Sequence, residues 1–416
     1  MTFVNHRPSS VVHRTMYDAV VVGAGPAGSA LGALLARAGF SVLLLDRAAF
    51  PRDKPCGEYT SPETCNVLAR LGTLEAVERA GGRKLRAMHL VSPGGRRFAL
   101  EYSPPGAHDG PHVLATTRRA LDAVLVDHAR RSGAEVRERV KVEAVTLRGG
   151  RVAGVVVRER RGCVEEIQAR LVIGADGVHS AVVRSLGLAA PVRWPRNLGL
   201  VAHYSGYRGL DDWGEMHVSE RGYAGLAPQA GGLLNVGLVM PLRGVLGSRG
   251  SSAERFEAFA MSFPGVAEVL EGARRVSAVR GVGPIGARVK RTSGAGYMLV
   301  GDAAGFFDPF TGEGVYKALR GAELAAGVAS GALERDDLSA RSLAEYDRLR
   351  RREFGAKEMV CRLVQLFVGL PTAMDYVAAR LAERPTPRQV LTGVLGDYAD
   401  PRAALSPVYL WSLLRP

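Results

Sequence analysis

Residues 17 to 46 constrain this chain more than any other segment. Tyr17 to Val22 (YDAVVV) is a short, apolar, β-branched run of the kind that forms a buried strand. Gly23-Ala24-Gly25-Pro26-Ala27-Gly28 follows, a G-x-G-x-x-G turn. A helix-compatible stretch from Ala27 to Ala38 comes next and is ended by Gly39. Ser41 to Leu45 (SVLLL) makes a second buried strand, with Asp46 at its end. Each position has a physical task. Gly23 permits a tight turn, Gly25 has no Cβ and lets a pyrophosphate approach, and Gly28 lets the helix pack close to the sheet. Pro26 and Ala27 open a helix whose free N–H groups attract phosphate. A carboxylate at Asp46, beside Arg47, accepts hydrogen bonds from a ribose diol. The segment is expected to be a βαβ unit holding the ADP half of a dinucleotide, and it leaves NAD and FAD both open.

The chain of 416 residues is too long for one simple core, so two interleaved domains are expected. Apolar residues at 47% and charged residues at 23% suit a folded enzyme and exclude a disordered or fibrous chain. Arg118 to Arg131 has helical spacing, while Val136 to Val142 and Arg151 to Arg158 alternate as strands joined at Gly149-Gly150. Leu171 to Ile173 and Tyr297 to Val300 are further short strands, and residues from about 195 to 290 form a second, sheet-based region. From Gly314 onward the pattern is helical, with breaks expected at Pro371, Pro385 and Pro387. The fold class is α/β: a Rossmann-like dinucleotide-binding domain interleaved with a mixed-sheet substrate domain and a helical C-terminal region. Residues 1–16 are expected to be an N-terminal extension. Residues 17–80, 110–190 and 280–330 are assigned to the dinucleotide-binding domain, 81–109 and 191–279 to the substrate domain, and 331–416 to the helical region.

Two further motifs choose the cofactor. Gly174-Ala175-Asp176-Gly177 resembles the DG motif of flavoprotein hydroxylases, and Gly301-Asp302-Ala303-Ala304, after the strand YMLV, resembles their GD motif. With the first glycine turn, the three occur in the family's order. The chain is thus similar to the p-hydroxybenzoate-hydroxylase-like flavoproteins over roughly residues 17 to 330. The resemblance implies FAD as cofactor, with Asp176 and Gly177 at its binding site and Asp302, beside Gly301, bonded to the ribityl hydroxyls. It also implies that the loop carrying Pro309, Gly312 and Gly314 leads into a helix whose N-terminus faces the flavin N1/C2=O edge. Negative charge on reduced flavin is favoured there. Arg118, four residues before Asp122, matches an arginine that lies near the FAD phosphates or ring in that family.

The stretch Pro51-Arg52-Asp53-Lys54-Pro55-Cys56-Gly57-Glu58-Tyr59 resembles the cysteine loop of the geranylgeranyl-reductase-like branch. It implies Cys56 as a catalytic or pocket-shaping residue. Gly222 to Pro228 is similar to the Y-x-W-x-F-P element of that branch. Tyr223 and Pro228 match, but Gly225 replaces the tryptophan and Ala227 the phenylalanine, leaving a wider cavity floor. The W-x-W-x-I-P signature of flavin halogenases is not found. The leading expectation is reduction of C=C bonds by reduced flavin, with Cys56 or Tyr223 supplying the proton. The alternatives are an NAD(P)H-dependent flavin monooxygenase acting on an aromatic or polyketide-like substrate, and a non-catalytic flavin-binding or electron-transfer protein.

Net charge is +14. No compact basic run interleaved with aromatics is present, so nucleic acid is not an expected partner. The basic surface suits an anionic one: a diphosphate- or carrier-linked apolar substrate, an acidic electron-donor protein, or an acidic membrane surface. NAD(P)H, or another reductant, is the expected electron source. Cys56, Cys65, Cys163 and Cys361 form no C-x-x-C pair, so no metal site is expected and a reducing cytoplasm is the default location. No apolar run reaches the roughly 18 residues of a spanning helix. The apolar stretch Met359 to Gly369 reads as a core helix or as a face for membrane contact.

Overall fold

The computed structural model describes residues 16–415 apart from 105–109, 160, 161, 193, 195 and 245–249. The expected N-terminal extension, residues 1–16, lies outside the described residues except for Met16.

Tyr17–Val22 is the central strand of a parallel sheet. It pairs with Val42–Asp46 on one side and Val164–Gly174 on the other. Glu135–Glu138 and Tyr297–Leu299 extend the two sides. Tyr17–Val22, Val42–Asp46 and Tyr297–Leu299 are covered on both faces and have almost no polar side to show, which is why they read as apolar runs, whereas the edge strand Glu135–Glu138 (EVRE) is charged. Helix Pro26–Arg37 links the first two strands, and Gly39 ends it at φ +90°. Its buried Leu31 and Leu35 share a core with Leu121 and Leu125 of Arg118–Arg131 and Leu319 of Gly314–Glu334. Strand order reverses direction at Tyr17–Val22, so the carboxyl ends of the central strands open a crevice there.

Val140–Arg148 and Arg151–Glu159 form a hairpin turning at Gly149-Gly150, and this hairpin joins the outer part of Val164–Gly174. The single strand expected over Val136 to Val142 is two strands. Arg139 adopts φ +62° between them, a left-handed conformation that no apolar alternation announces.

The second sheet joins segments far apart in the chain. Ala87–Val91 and Arg97–Glu101 pair with each other, and Ala87–Val91 also lies parallel to Trp213–Ser219. Gly222–Pro228, Leu233–Pro241 and Asn197–Ser205 continue the sheet antiparallel. Arg280–Ile285 pairs with Asn197–Ser205, so this sheet runs past 279 and residues 280–285 belong with it, not with the dinucleotide-binding sheet as expected. One face packs on helices Ser252–Met261 and Pro264–Val269 through Leu200, Leu234, Val236 and Phe256. The other face meets the crevice and the C-terminal helices.

Those helices are Ala340–Val368, Pro371–Glu383, Pro385–Leu395 and Pro407–Leu414. Pro387 makes no break, contrary to expectation. It sits in the first turn of Pro385–Leu395, where a missing N–H costs no hydrogen bond. The run Met359 to Gly369 is two-sided: Val360, Cys361, Gln365 and Val368 are buried, while Met359 and Leu366 are exposed.

Candidate active site

A cavity of about 570 Å³ runs from the crevice into the second sheet. Gly23, Gly25, Pro26, Ala27, Asp46, Arg47, Cys56, Arg118, Asp176, Gly177, Tyr223, Gly301, Asp302, Pro309, Gly312 and Gly314 all line it. Gly28 alone among the expected residues lies behind the wall. A Cβ there would stand 1.8 Å from the Gly23 carbonyl oxygen, so it closes the turn from beneath.

At the crevice end the geometry suits a dinucleotide. A Cβ added to Gly25 would meet only the tips of Arg52, at 3.5 Å, and Arg118, at 4.0 Å. The surface at Gly25 is therefore open backbone flanked by two guanidinium groups. No side chain caps helix Pro26–Arg37, so its first N–H groups have no internal acceptor. Asp46 is oriented by its own neighbours, accepting from the Ala24 N–H at 2.9 Å and the Ala48 N–H at 2.8 Å. Arg118 grips Asp122 with two hydrogen bonds of 2.8 Å. Burial opposes charge on Arg118, but the Asp122 carboxylate outweighs it and raises the pKa of the guanidinium. Arg52, which the sequence reading did not single out, reaches Asp122 at 3.3 Å.

Asp176 gives a further test of fit. One of its oxygens accepts from the Ala181 N–H at 2.6 Å, while the other is buried without a partner. Burial raises its pKa. A buried acceptor or acid facing the cavity is what a hydroxyl-rich cofactor would satisfy. Asp302 lines the same cavity, 3.8 Å from the Lys54 ammonium, whose pKa burial lowers. These residues fit FAD.

The loop from Asp308 to Gly314 forms the next wall, and one buried side of helix Ala340–Val368 holds it. Lys357 lies 3.6 Å from Glu313, the Cys361 thiol bonds Glu313 at 3.2 Å, and the Gln365 amide donates to Asp308 at 2.6 Å. Lys357, Cys361 and Gln365, spaced by four along one helix face, were the sequence signal for this contact. Asp308 also accepts from the Tyr223 hydroxyl at 2.5 Å, the Phe310 N–H at 3.0 Å and the Asn197 amide at 3.1 Å. Burial pushes this carboxyl up to about 6. The Tyr223 proton is thus engaged by a carboxyl group, and burial with that neighbour raises the phenol well above its ordinary range.

The cysteine loop is fixed by Glu58, a buried residue at φ +53°. Its carboxylate accepts from the Arg118 N–H at 2.8 Å, bonds the His203 ring at 2.7 Å and accepts from the Asn235 amide at 2.9 Å. Asn235 also donates to the Cys56 carbonyl at 3.1 Å. Donation to the Glu58 carboxylate raises the His203 pKa. Cys56 is therefore presented to the cavity by a rigid loop, beside Arg118.

Beyond Cys56 the cavity is apolar, walled by Met88, Leu90, Leu100, Met216, Val239 and Phe310. Its floor is the second sheet, where Gly225 pairs with Gly237 on the adjacent strand. A Cβ at Gly225 would meet nothing closer than Met216 at 3.5 Å, and one at Gly237 nothing closer than 3.8 Å. Gly237 extends the open floor beside Gly225, a pairing that sequence alone could not reveal.

A family model described as an FAD binding domain matches residues 16–203. Digeranylgeranylglycerophospholipid reductase 2 of Methanopyrus kandleri is 35% identical over 352 residues, covering 82% of this chain and 83% of the relative. Among solved structures, a myxobacterial chondrochloren halogenase superposes with a TM-score of 0.75 at 27% identity, over 82% of this chain and 80% of the other. A geranylgeranyl bacteriochlorophyll reductase-like protein from Thermoplasma acidophilum superposes with a TM-score of 0.78 at 24% identity, over 89% and 92%, and attests the shared fold. Motifs, cradle and relatives agree: this chain belongs to the geranylgeranyl-reductase-like branch of the FAD-dependent oxidoreductases.

Proposed function

We propose that the protein reduces C=C bonds of an apolar, lipid-like substrate. The observation that carries this reading is the continuity of one cavity, from the dinucleotide cradle past a cysteine into apolar walls. Bound reduced FAD would supply the hydride. The chain's residues do the rest. Arg52 and Arg118 would neutralise the diphosphate at Gly25, and Asp46 would take the adenosine ribose. Met88, Leu90, Leu100 and Val239 exclude water and hold an apolar chain. Cys56 is the better placed proton donor, since the Tyr223 hydroxyl is committed to Asp308. The relative from Methanopyrus kandleri carries the name of a reductase for a lipid of this kind, which supports the reading.

A lipid-borne substrate would be met at a bilayer surface. Helix Pro407–Leu414 supports such contact: Val408 and Trp411 are 79% and 70% exposed while Tyr409 and Leu413 face inward. No single helix among the described residues is long and apolar enough to cross a membrane.

Oxygen-dependent oxidation of the substrate is the second reading, supported by the likeness to the chondrochloren halogenase. One experiment separates the two. The flavoprotein is reduced without oxygen and given a polyprenyl substrate. Saturated product and flavin reoxidation under strict anaerobiosis are expected; product formed only after oxygen is admitted would reject reduction. Cys56→Ala is expected to slow the anaerobic reaction at least tenfold.

A further inference from the structure

A second cleft, of about 900 Å³, lies on the other side of the turn that carries Asp302. Seven Lys and Arg side chains line it against three acids. One of those acids, Asp347, is already committed to the Thr292 and Ser293 hydroxyls and the Thr292 N–H. Arg335, Arg341, Arg348 and Arg351 stand exposed around the cleft. The site therefore carries a concentrated positive field on a chain whose net charge is already +14.

Its position is as informative as its charge. Ala304 lines this cleft, and Asp302, two residues earlier, lines the flavin cavity. Two residues span at most roughly 7 Å, so one turn of backbone separates the two spaces. A hydride donor must bring its reacting atom to about 3–3.5 Å from the flavin. A nicotinamide seated behind that turn would be walled off. An electron needs no such contact.

We propose that this cleft docks an acidic one-electron carrier protein that reduces the bound flavin. The proposal rests on the FAD-dependent redox reading but not on the identity of the substrate. Two reduced carriers each give up one electron. The flavin gains both, takes one proton from solvent and becomes its anionic reduced form, and the two oxidised carriers leave. Opposite charge on the carrier would speed encounter and orient it, and salt would screen that attraction.

The test is anaerobic stopped-flow reduction of the holoprotein, with reduced plant-type ferredoxin as the probe. Arg341→Glu/Arg348→Glu is compared with wild type at low and high salt. Ferredoxin-driven reduction is expected to fall roughly tenfold or more in the double variant at low salt, with the gap closing as salt rises. Dithionite, a small reductant, should reduce both proteins equally, and flavin absorbance and Tm should match. If the double variant loses flavin, Arg341→Ala/Arg348→Ala and the salt dependence of the wild-type rate carry the same expectation. Equal ferredoxin rates in wild type and variant at low salt would overturn the proposal. So would failure of ferredoxin to reduce wild type, or slowing of NADPH-driven reduction by the same substitutions, which would make the cleft a nucleotide site. Alkene reduction by the dithionite-reduced enzyme is scored separately. Its absence would reject the substrate reading while leaving the docking result intact.

Discussion

Replacing Asp308 by Asn probes the wall between flavin loop and substrate sheet. Asp308 is 5% exposed, and burial moves its carboxyl from 3.8 to about 6. The folded protein therefore binds this proton more tightly than the unfolded chain. Its contribution favours folding below pH 4 and is lost as pH rises through about 6. A difference of about 2 in pKa corresponds to about 3 kcal/mol lost between those limits. Asn cannot ionise, so its stability relative to wild type should carry the opposite slope. At pH 4 the variant should be weaker, because an amide cannot accept all four hydrogen bonds that now end on Asp308. By pH 7.5 that deficit should shrink by about 3 kcal/mol or reverse. Urea unfolding of the two proteins at pH 4, 5, 6 and 7.5 measures the difference directly. A difference constant within about 1 kcal/mol across that range would refute the argument that Asp308 is held in an ionisation-opposing site.

Other substitutions test other parts of the site. Gly28→Ala puts a methyl 1.8 Å from the Gly23 carbonyl oxygen. The turn must open, and the purified protein is expected to be colourless, as read by absorbance near the flavin band. Gly225→Trp fills the floor above Gly237. FAD content should be retained while kcat/KM for ring-bearing substrates falls at least tenfold more than for a narrow polyprenyl chain, measured by competition. Lys357→Met leaves Asp397 buried without its cation, while Glu313 keeps Lys317 at 2.6 Å. A loss of about 3–5 kcal/mol in urea unfolding is expected, and rescue by Arg would show that charge, not length, matters.

The nucleotide half of the site was legible because its logic is local. Gly23, Gly25, Gly28 and Asp46 sit within one βαβ unit, where turn geometry and burial act on neighbouring residues. Asp176 and Asp302 were legible through their motifs. What escaped depends on contacts between distant segments. Asp308 gains its character from Tyr223, Asn197 and Gln365, each far away in the chain. Gly237 matters only through register with Gly225. Arg52 and Lys54 lay inside a stretch already singled out for its cysteine, but their charge partners Asp122 and Asp302 come from other elements. The division of Val136 to Val142 was hidden for a different reason: arginine seldom takes positive φ, so Arg139 gave no sign of a break.

Anyone wishing to graft the specificity of this enzyme onto a relative inherits a constraint from the parallel seam between Trp213–Ser219 and Ala87–Val91. The strands Ala87–Val91 and Arg97–Glu101 are separated from the remainder of their sheet by helix Arg118–Arg131 and the whole Val140–Glu159 hairpin. A chimaera that imports only the later strands would leave this seam to be formed between two parents. The exchangeable unit is discontinuous, and both pieces have to travel together.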